Sequence, residues 1–216
     1  MSDAKPTLAI IGGTGDLGTG LAMRWIAAGY TVTIGSRSAE KAAEAATKLK
    51  AARGCSNADA AAAAEVVVIT VPFASHAAIL DEIRPAVAGK IVVDTTVPLV
   101  PPKVARVQLP PEDSAAVATQ KRLGEGVRVV SGFHNVAALK LQKGEPIDCD
   151  VLVFGDSAED RGVVVALAEA AGLRGLHAGP LANSAAAEAL TSVLIGINRN
   201  YKVDGAGIRI TGIAKG

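Results

Sequence analysis

The chain has 216 residues, half of them hydrophobic but only 3% aromatic. That is enough for one buried core with a small appendage, and far beyond the size of a disulfide-stapled scaffold. Lysine plus arginine (22) and aspartate plus glutamate (21) nearly cancel to a formal charge of +1, leaving no broad basic field for a nucleic-acid partner.

Residues 1–6, with Asp3 and Lys5, run straight into an apolar stretch and lack the charged front, longer apolar middle and cleavage site of an export signal. Glu65 and Pro72 bound the richest apolar run, so no stretch of about 18 residues is available to span a membrane. A soluble, cytoplasmic protein is expected. Cys55 and Cys149 lie far apart, outside CxxC spacing, so a zinc ribbon or dithiol pair is not indicated and both thiols should be reduced and buried.

In chain order, strands are expected at 7–11 and 31–34, separated by a helix at 15–28. Helices at 39–52 and 57–64 lead to a strand at 66–70; a helix at 75–87 leads to a strand at 91–94. The runs Val66-Val-Val-Ile-Thr70 and Ile91-Val-Val-Asp94 lack polar alternation, as strands covered on both faces should. Residues 97–111 hold five prolines and no helical period, so they are expected to be a connecting loop. A helix at 112–123 follows, then strands at 127–130 and 151–154, a helix at 158–171 and a weaker strand at 174–178. Ala187, Leu190, Leu194 and Ile197 then mark one long amphipathic helix over 183–199.

Alternating strands and helices predict an α/β protein with a doubly wound, mostly parallel sheet, and Gly13-Thr-Gly15-Asp-Leu-Gly18 specifies its type. That GxGxxG run follows a strand and opens a helix, the setting of a Rossmann-type dinucleotide turn. Gly13 is read as permitting the turn, Gly15 as admitting a diphosphate and Gly18 as allowing close helix–strand packing. The bare amides of these glycines and the helix dipole then receive the anion.

The second strand ends in Gly35-Ser36-Arg37-Ser38 without the carboxylate that would hold an NAD ribose. A hydroxyl and a guanidinium suit a 2′-phosphate, and Lys41 falls on the same helical face, so NADP(H) is the expected cofactor. The alternative is that Ser38 merely caps a helix while Arg37 and Lys41 are solvated. Val71, Pro72 and Phe73 follow a central strand at the edge where such sheets bind ligands; equally, Pro72 can start the next helix and Phe73 pack inward.

A second reactant needs an apolar pocket with a few polar anchors. The segment Gly132-Phe-His-Asn-Val-Ala-Ala138 offers them. His134 is the catalytic candidate, able to hydrogen-bond or exchange a proton with a polarised ring near neutral pH, or it is a satisfied strand-end histidine. Asn135, Val136, Ala137 and Ala138 are the neighbouring candidates for cofactor contact. His76 and His177 lack a metal-ligand partner at suitable spacing, no GxSxG or HExxH motif occurs, and no metal site is expected.

The runs 10–22 and 35–42, with Thr70-Val-Pro72, Val97-Pro-Leu99, Ser131-Gly-Phe-His-Asn135 and Gly179-Pro-Leu-Ala-Asn-Ser184, resemble the NADPH-dependent coenzyme F420 reductases. The resemblance spans nearly the whole chain. It implies hydride exchange between nicotinamide C4 and the C5 of a deazaflavin, coenzyme F420. It also implies NADP lying across the turn in contact with Thr14, Gly15, Asp16 and Leu17, a 2′-phosphate held by Ser36, Arg37 and Lys41, and a deazaflavin pocket near 134–138 closed by the C-terminal region. Ala185 and Ala137 depart from the family pattern, which bears on the acceptor pocket. The division expected is an NADP-binding Rossmann domain over 1–178 and a small helical C-terminal lobe over 179–216 closing the acceptor site, with the long helix available for a homodimer. The alternatives are an NADPH-dependent reductase of a flavin, a metal or a small imine or carbonyl, and an NADP-binding sensor without turnover.

Overall fold

The computed structural model describes residues 5–213; the expectations for residues 1–4, and the outer ends of both expected domains, lie outside them. Eight strands form one sheet: β1 (Leu8–Ile11), β2 (Val32–Ser36), β3 (Arg53–Ser56), β4 (Val66–Ile69), β5 (Ile91–Asp94), β6 (Arg128–Ser131), β7 (Asp150–Phe154) and β8 (Arg174–Gly179). Their spatial order is β3-β2-β1-β4-β5-β6-β7-β8. Every pairing is parallel except that of β6 with β7.

Helices α1 (Asp16–Ala27), α2 (Ala39–Leu49), α3 (Asn57–Ala63), α4 (Phe73–Ile83), α5 (Ala115–Leu123), α6 (Ala138–Gln142), α7 (Ala158–Ala170) and α8 (Ser184–Tyr201) complete the chain. Because successive strand residues point to opposite faces, Leu8, Ile10 and Val68 join one core with Trp25 and Leu167. Ala9, Ile11 and Ile69 join the other with Ile79, Leu80 and Ala116. Apolar runs without alternation are the consequence of that double burial.

Two elements were not expected. Strand β3, Arg-Gly-Cys-Ser, carries almost no apolar signal; it is an edge strand held by backbone pairing to β2. The five-residue α6 is too short to show a helical period and is fixed by packing on α1, where Gly20 admits Leu141 so closely that an added Cβ would lie 2.7 Å from it. Helix α5 starts at Ala115 rather than 112, because Ser114 Oγ accepts the Val117 amide at 3.0 Å. The weak strand at 174–178 is real and extends to Gly179, paired to β7.

The one antiparallel step shifts β7 along the sheet. It meets β6 only at Ser131↔Phe154, so its amino end, Asp150, overhangs the carboxyl edge of the sheet. Open α/β sheets bind their ligands at that edge. Among the described residues, no helix is long and apolar enough to cross a membrane.

Candidate functional site

The glycine-rich turn lies between β1 and α1, at the point where β1 is flanked by β2 and β4. The residue in the left-handed region is Gly12, φ +73°, not Gly13; a Cβ at Gly12 would also lie 2.6 Å from Val71 Cγ1. Gly13 is required for proximity instead, since its Cβ would meet the Ile10 carbonyl oxygen at 2.9 Å. At Gly18 an added Cβ would come within 2.7 Å of the Gly13 Cα, so α1 presses directly on the turn. Gly15 differs: its nearest neighbour would be the Gly12 carbonyl oxygen at 3.5 Å, which leaves its outer side open to a ligand.

Gly15 is also the N-cap of α1, and no side chain among the described residues caps that terminus. The first helical amides therefore lack intrahelical partners and face outward with the positive end of the helix dipole. Thr14, Gly15 and Asp16 are exposed, whereas Leu17 packs on the core. Beside them opens a cleft of about 220 Å³ lined by Gly12, Thr14, Gly15, Ser36, Arg37, Asn57, Val71 and Pro72, among others.

At its far wall Ser36 is buried and Arg37 exposed, with no ion pair to Arg37 among the described residues. Ser38 does cap α2, its Oγ accepting the Lys41 amide at 3.3 Å. The cap and an anion site are therefore compatible rather than alternatives. Lys41 lines an adjoining hollow with Thr14 and Lys48, so the two cations flank the turn from neighbouring sides.

Asn57 was missed from sequence, where Ser56 and Asp59 mark it only as a helix start. It is buried; its Oδ1 accepts from the Gly12 amide at 3.4 Å and its Nδ2 donates to Glu82 at 3.3 Å. It thereby props the turn from beneath. Phe73 leaves the cleft: its ring lies against His76, centroids 6.2 Å apart, in a groove between α4 and α5. Pro72 is the N-cap of α4.

A second cleft, of about 340 Å³, is formed by the loop 134–138, by Thr191, Leu194, Ile195 and Asn198 of α8, and by 204–206. The loop begins at Phe133, whose φ of +65° lies in the left-handed region that bulky residues avoid. Its ring, packed edge-on to Trp25 at 5.9 Å, holds the chain there. His134, Asn135, Val136, Ala137 and Ala138 all line the cleft. Asn135 turns its Nδ2 inward to the Asp150 carbonyl oxygen at 2.9 Å, so its side chain braces the loop. Thr191 Oγ1 donates to the His134 carbonyl oxygen at 2.8 Å and ties the loop to α8.

Among the described residues neither ring nitrogen of His134 has a partner, although both are buried. Burial pushes its pKa down to about 4, against an opposing pull from Asp94. This revises the sequence expectation of a group titrating near neutrality: the imidazole is neutral there, with one donor and one acceptor to offer. Asp94 itself lies at the end of β5, with the His76 Nε2 2.9 Å from its Oδ2 and the Thr96 amide donating to its Oδ1. Despite complete burial, His76 and these hydrogen bonds hold its carboxyl below the usual range. Glu188 of α8 accepts the Ala115 and Ala116 amides at 2.7 and 3.1 Å and so joins α8 to the start of α5; burial pushes its pKa up to about 8.

The family profile described as NADP oxidoreductase coenzyme F420-dependent matches residues 7–98, which contain the whole first cleft. The F420-dependent NADP reductase of Methanothermobacter thermautotrophicus is 41% identical over 95% of this chain and 95% of its own length. That of Methanocaldococcus jannaschii is 40% identical over 95% and 98%. A crystal structure of a proposed F420-dependent NADP-reductase from Arthrobacter sp. FB24 superposes with a TM-score of 0.84 at 26% identity, covering 95% of this chain and 99% of that one. Similarity of this extent covers nearly the whole length of each protein, and the chain belongs to the F420-dependent NADP reductase family.

Proposed function

We propose that the protein is an oxidoreductase exchanging a hydride between NADP(H), held in the first cleft, and coenzyme F420, held in the second. The observation that carries this reading is a helix start beside Gly15 that no side chain among the described residues caps, with an exposed guanidinium at Arg37 across the cleft that none of them pairs. That arrangement fits a diphosphate at one end and a 2′-phosphate at the other. When bound together, nicotinamide and deazaflavin supply the redox chemistry, C4 to C5, and no protein nucleophile is required.

The chain's own residues position and exclude water. Gly15, Thr14, Asp16 and Leu17 offer main-chain amides, Gly13 and Gly18 keep the turn tight, and Ser36, Arg37 and Lys41 take the 2′-phosphate. Val71 and Pro72 border the ribose. The backbone of Asn135, with Val136, Ala137 and Ala138, forms the floor on which two rings can meet. His134, neutral and with both nitrogens unpartnered, fits the polar edge of a bound ring. We assign it hydrogen bonding rather than proton storage.

The assay is direct: reduced F420 and NADP are mixed with enzyme, and the oxidised deazaflavin and NADPH are followed together by absorbance. Matched appearance of both is expected. NADPH that binds but is oxidised only by free flavin or an imine would replace the proposed partner.

The pH dependence tests His134. Its folded pKa of about 4 lies below the unfolded value near 6.5, so the unfolded chain takes up the proton first. Its contribution to stability is complete above about pH 6.5 and is lost as the pH falls towards 4. The kcat profile is therefore expected to show no His134 ionisation between about pH 5.5 and 8. A break near 6.5 that disappears in His134→Gln would contradict the assignment.

The expected division at 178/179 is retained as a proposal: α8 and residues 204–206 wall the second cleft while 5–178 supply the first. A cytoplasmic location is proposed as well, in keeping with the free cysteines Cys55 and Cys149. A homodimer is proposed through the outer face of α8, where Ala186, Val193 and Tyr201 are exposed at helical spacing. Val193→Asp should then shift the sedimenting species from dimer to monomer; an unchanged sedimentation coefficient would exclude that face.

A further inference from the structure

The tail after α8 doubles back along the carboxyl edge of the sheet. Lys140 Nζ donates to the Gly205 carbonyl oxygen at 3.0 Å and the Ala206 amide donates to Asn198 Oδ1 at 2.8 Å. Gly205, with φ +73°, passes so near Ala137 that an added Cβ would lie 2.5 Å from that residue's own. Residues 204–206 are thus one wall of the second cleft and the loop 134–138 the other. The loop is irregular as far as α6 and the tail is irregular throughout, so a rigid point shared by both would fix their spacing.

Asp150 bonds to both. Its carbonyl oxygen accepts from Asn135 Nδ2 in the loop. Its amide donates to the Ile208 carbonyl oxygen at 2.8 Å, and its Oδ2 accepts the Ile210 amide at 2.6 Å, both in the tail. The carboxylate is fully buried and is clamped by the Arg174 guanidinium, Nε to Oδ1 at 2.7 Å with Nη2 on Oδ2. Arg174 Nη2 also reaches the Ile210 carbonyl oxygen at 2.8 Å. Arg209, within the tail, lies 3.2 Å from Asp150 Oδ1 and 3.2 Å from Asp148.

We propose that Asp150, clasped by Arg174 and Arg209, is the positioning residue that sets the width of the second cleft and hence its affinity for the deazaflavin, without touching it. This rests on the second cleft being the deazaflavin site. A buried carboxylate held by two guanidinium groups and a main-chain amide has one geometry, and both walls inherit it. The antiparallel β7 is what brings that carboxylate past the sheet edge. If the clasp is loosened, the tail is closed for only part of the time, and the apparent dissociation constant rises by the reciprocal of that fraction.

The test uses binding as well as turnover. F420 affinity is read from quenching of the deazaflavin's own fluorescence and NADP affinity by calorimetry on the same preparations. Arg209→Ala removes an arginine whose side chain is 38% exposed, so folding should survive. It is expected to weaken F420 about tenfold, to raise KM for F420 with kcat nearly unchanged, and to leave NADP within about twofold. Arg209→Lys should recover part of the loss, and Asp150→Asn, where it folds, should exceed it. Ala206→Trp, which fills the cleft itself, should abolish F420 binding. Loss of F420 binding in Ala206→Trp alongside wild-type affinity in Arg209→Ala would overturn the clasp and spare the site. Unimpaired F420 binding in Ala206→Trp would remove the site reading and the clasp together. An equal loss of NADP affinity in Arg209→Ala would show general loosening and also overturn the proposal.

Discussion

Arg37→Ala is expected to raise KM for NADPH by roughly thirty- to a hundredfold while changing that for NADH by less than about threefold. A hydrogen bond to a charged group contributes about 1.5–3 kcal/mol, and the two that an exposed guanidinium can make to one phosphate are together discounted by solvent to about 2–2.7 kcal/mol, the thirty- to hundredfold expected. Arg37 is solvated and without an ion pair among the described residues, so its removal exposes no buried partner and the fold should be unaffected. The dinucleotide lacking the 2′-phosphate reports on everything else in the cleft. Steady-state kinetics with both nucleotides gives the ratio, and a parallel loss for NADH would mean that Arg37 acts on the turn rather than on the 2′-phosphate. Because Ser38 holds α2 in place through its own cap, the variant retains the local backbone.

Gly18→Ala is expected to reduce NADP affinity about a hundredfold and to cost about 1–3 kcal/mol in stability, the range for overpacking a close contact. The added methyl would lie 2.7 Å from the Gly13 Cα and 2.7 Å from Thr70 Oγ1. One of those neighbours is backbone and cannot rotate away. Relief comes only by shifting α1 outward, which carries the uncapped amides away from the diphosphate. Gly162→Ala in α7, where the new methyl meets nothing within 4 Å, is the matched control and should stabilise by about 0.5–1 kcal/mol. Thermal melts and calorimetric titration of the two variants separate the contact from helix propensity. Wild-type NADP binding in Gly18→Ala would remove the turn from the site.

Much of the first cleft is readable because its chemistry is local. A turn that needs bare backbone must be written with glycine, and Gly13, Gly15 and Gly18 lie within one turn and one helical start. The residues proposed to take the 2′-phosphate come at the end of the next strand, so Ser36 and Arg37 are identifiable by position. Even there the assignment of the turn to Gly13 was displaced by one residue. A positive φ depends on where the chain must reverse, and that is decided by Val71 of the neighbouring strand's exit.

The second cleft was legible only as a suggestive stretch, 132–138, because its walls are separated in sequence by more than fifty positions and meet only in the folded chain. Burial of His134 depends on tertiary packing, with Thr191 of α8 bonded to its carbonyl oxygen, so a residue type that titrates near neutrality in isolation is held neutral well below it. Asn135 lines the cleft as expected, but its side chain also braces the loop on Asp150, which no local spacing shows. Strand β3 had too few apolar residues to announce itself, since an edge strand draws its order from a neighbour's unpaired backbone.

Taken alone, the order of amino acids determined the doubly wound sheet, the glycine turn, the preference for a 2′-phosphate and the family resemblance. Each rests on residues adjacent in the chain or spaced by one strand or helix repeat. Only the tertiary structure decided that β7 runs against β6, that Asp150 therefore reaches past the sheet edge, and that loop and tail close on one cleft. Those outcomes depend on contacts between distant segments, whose energies are set by burial and geometry that no local spacing encodes.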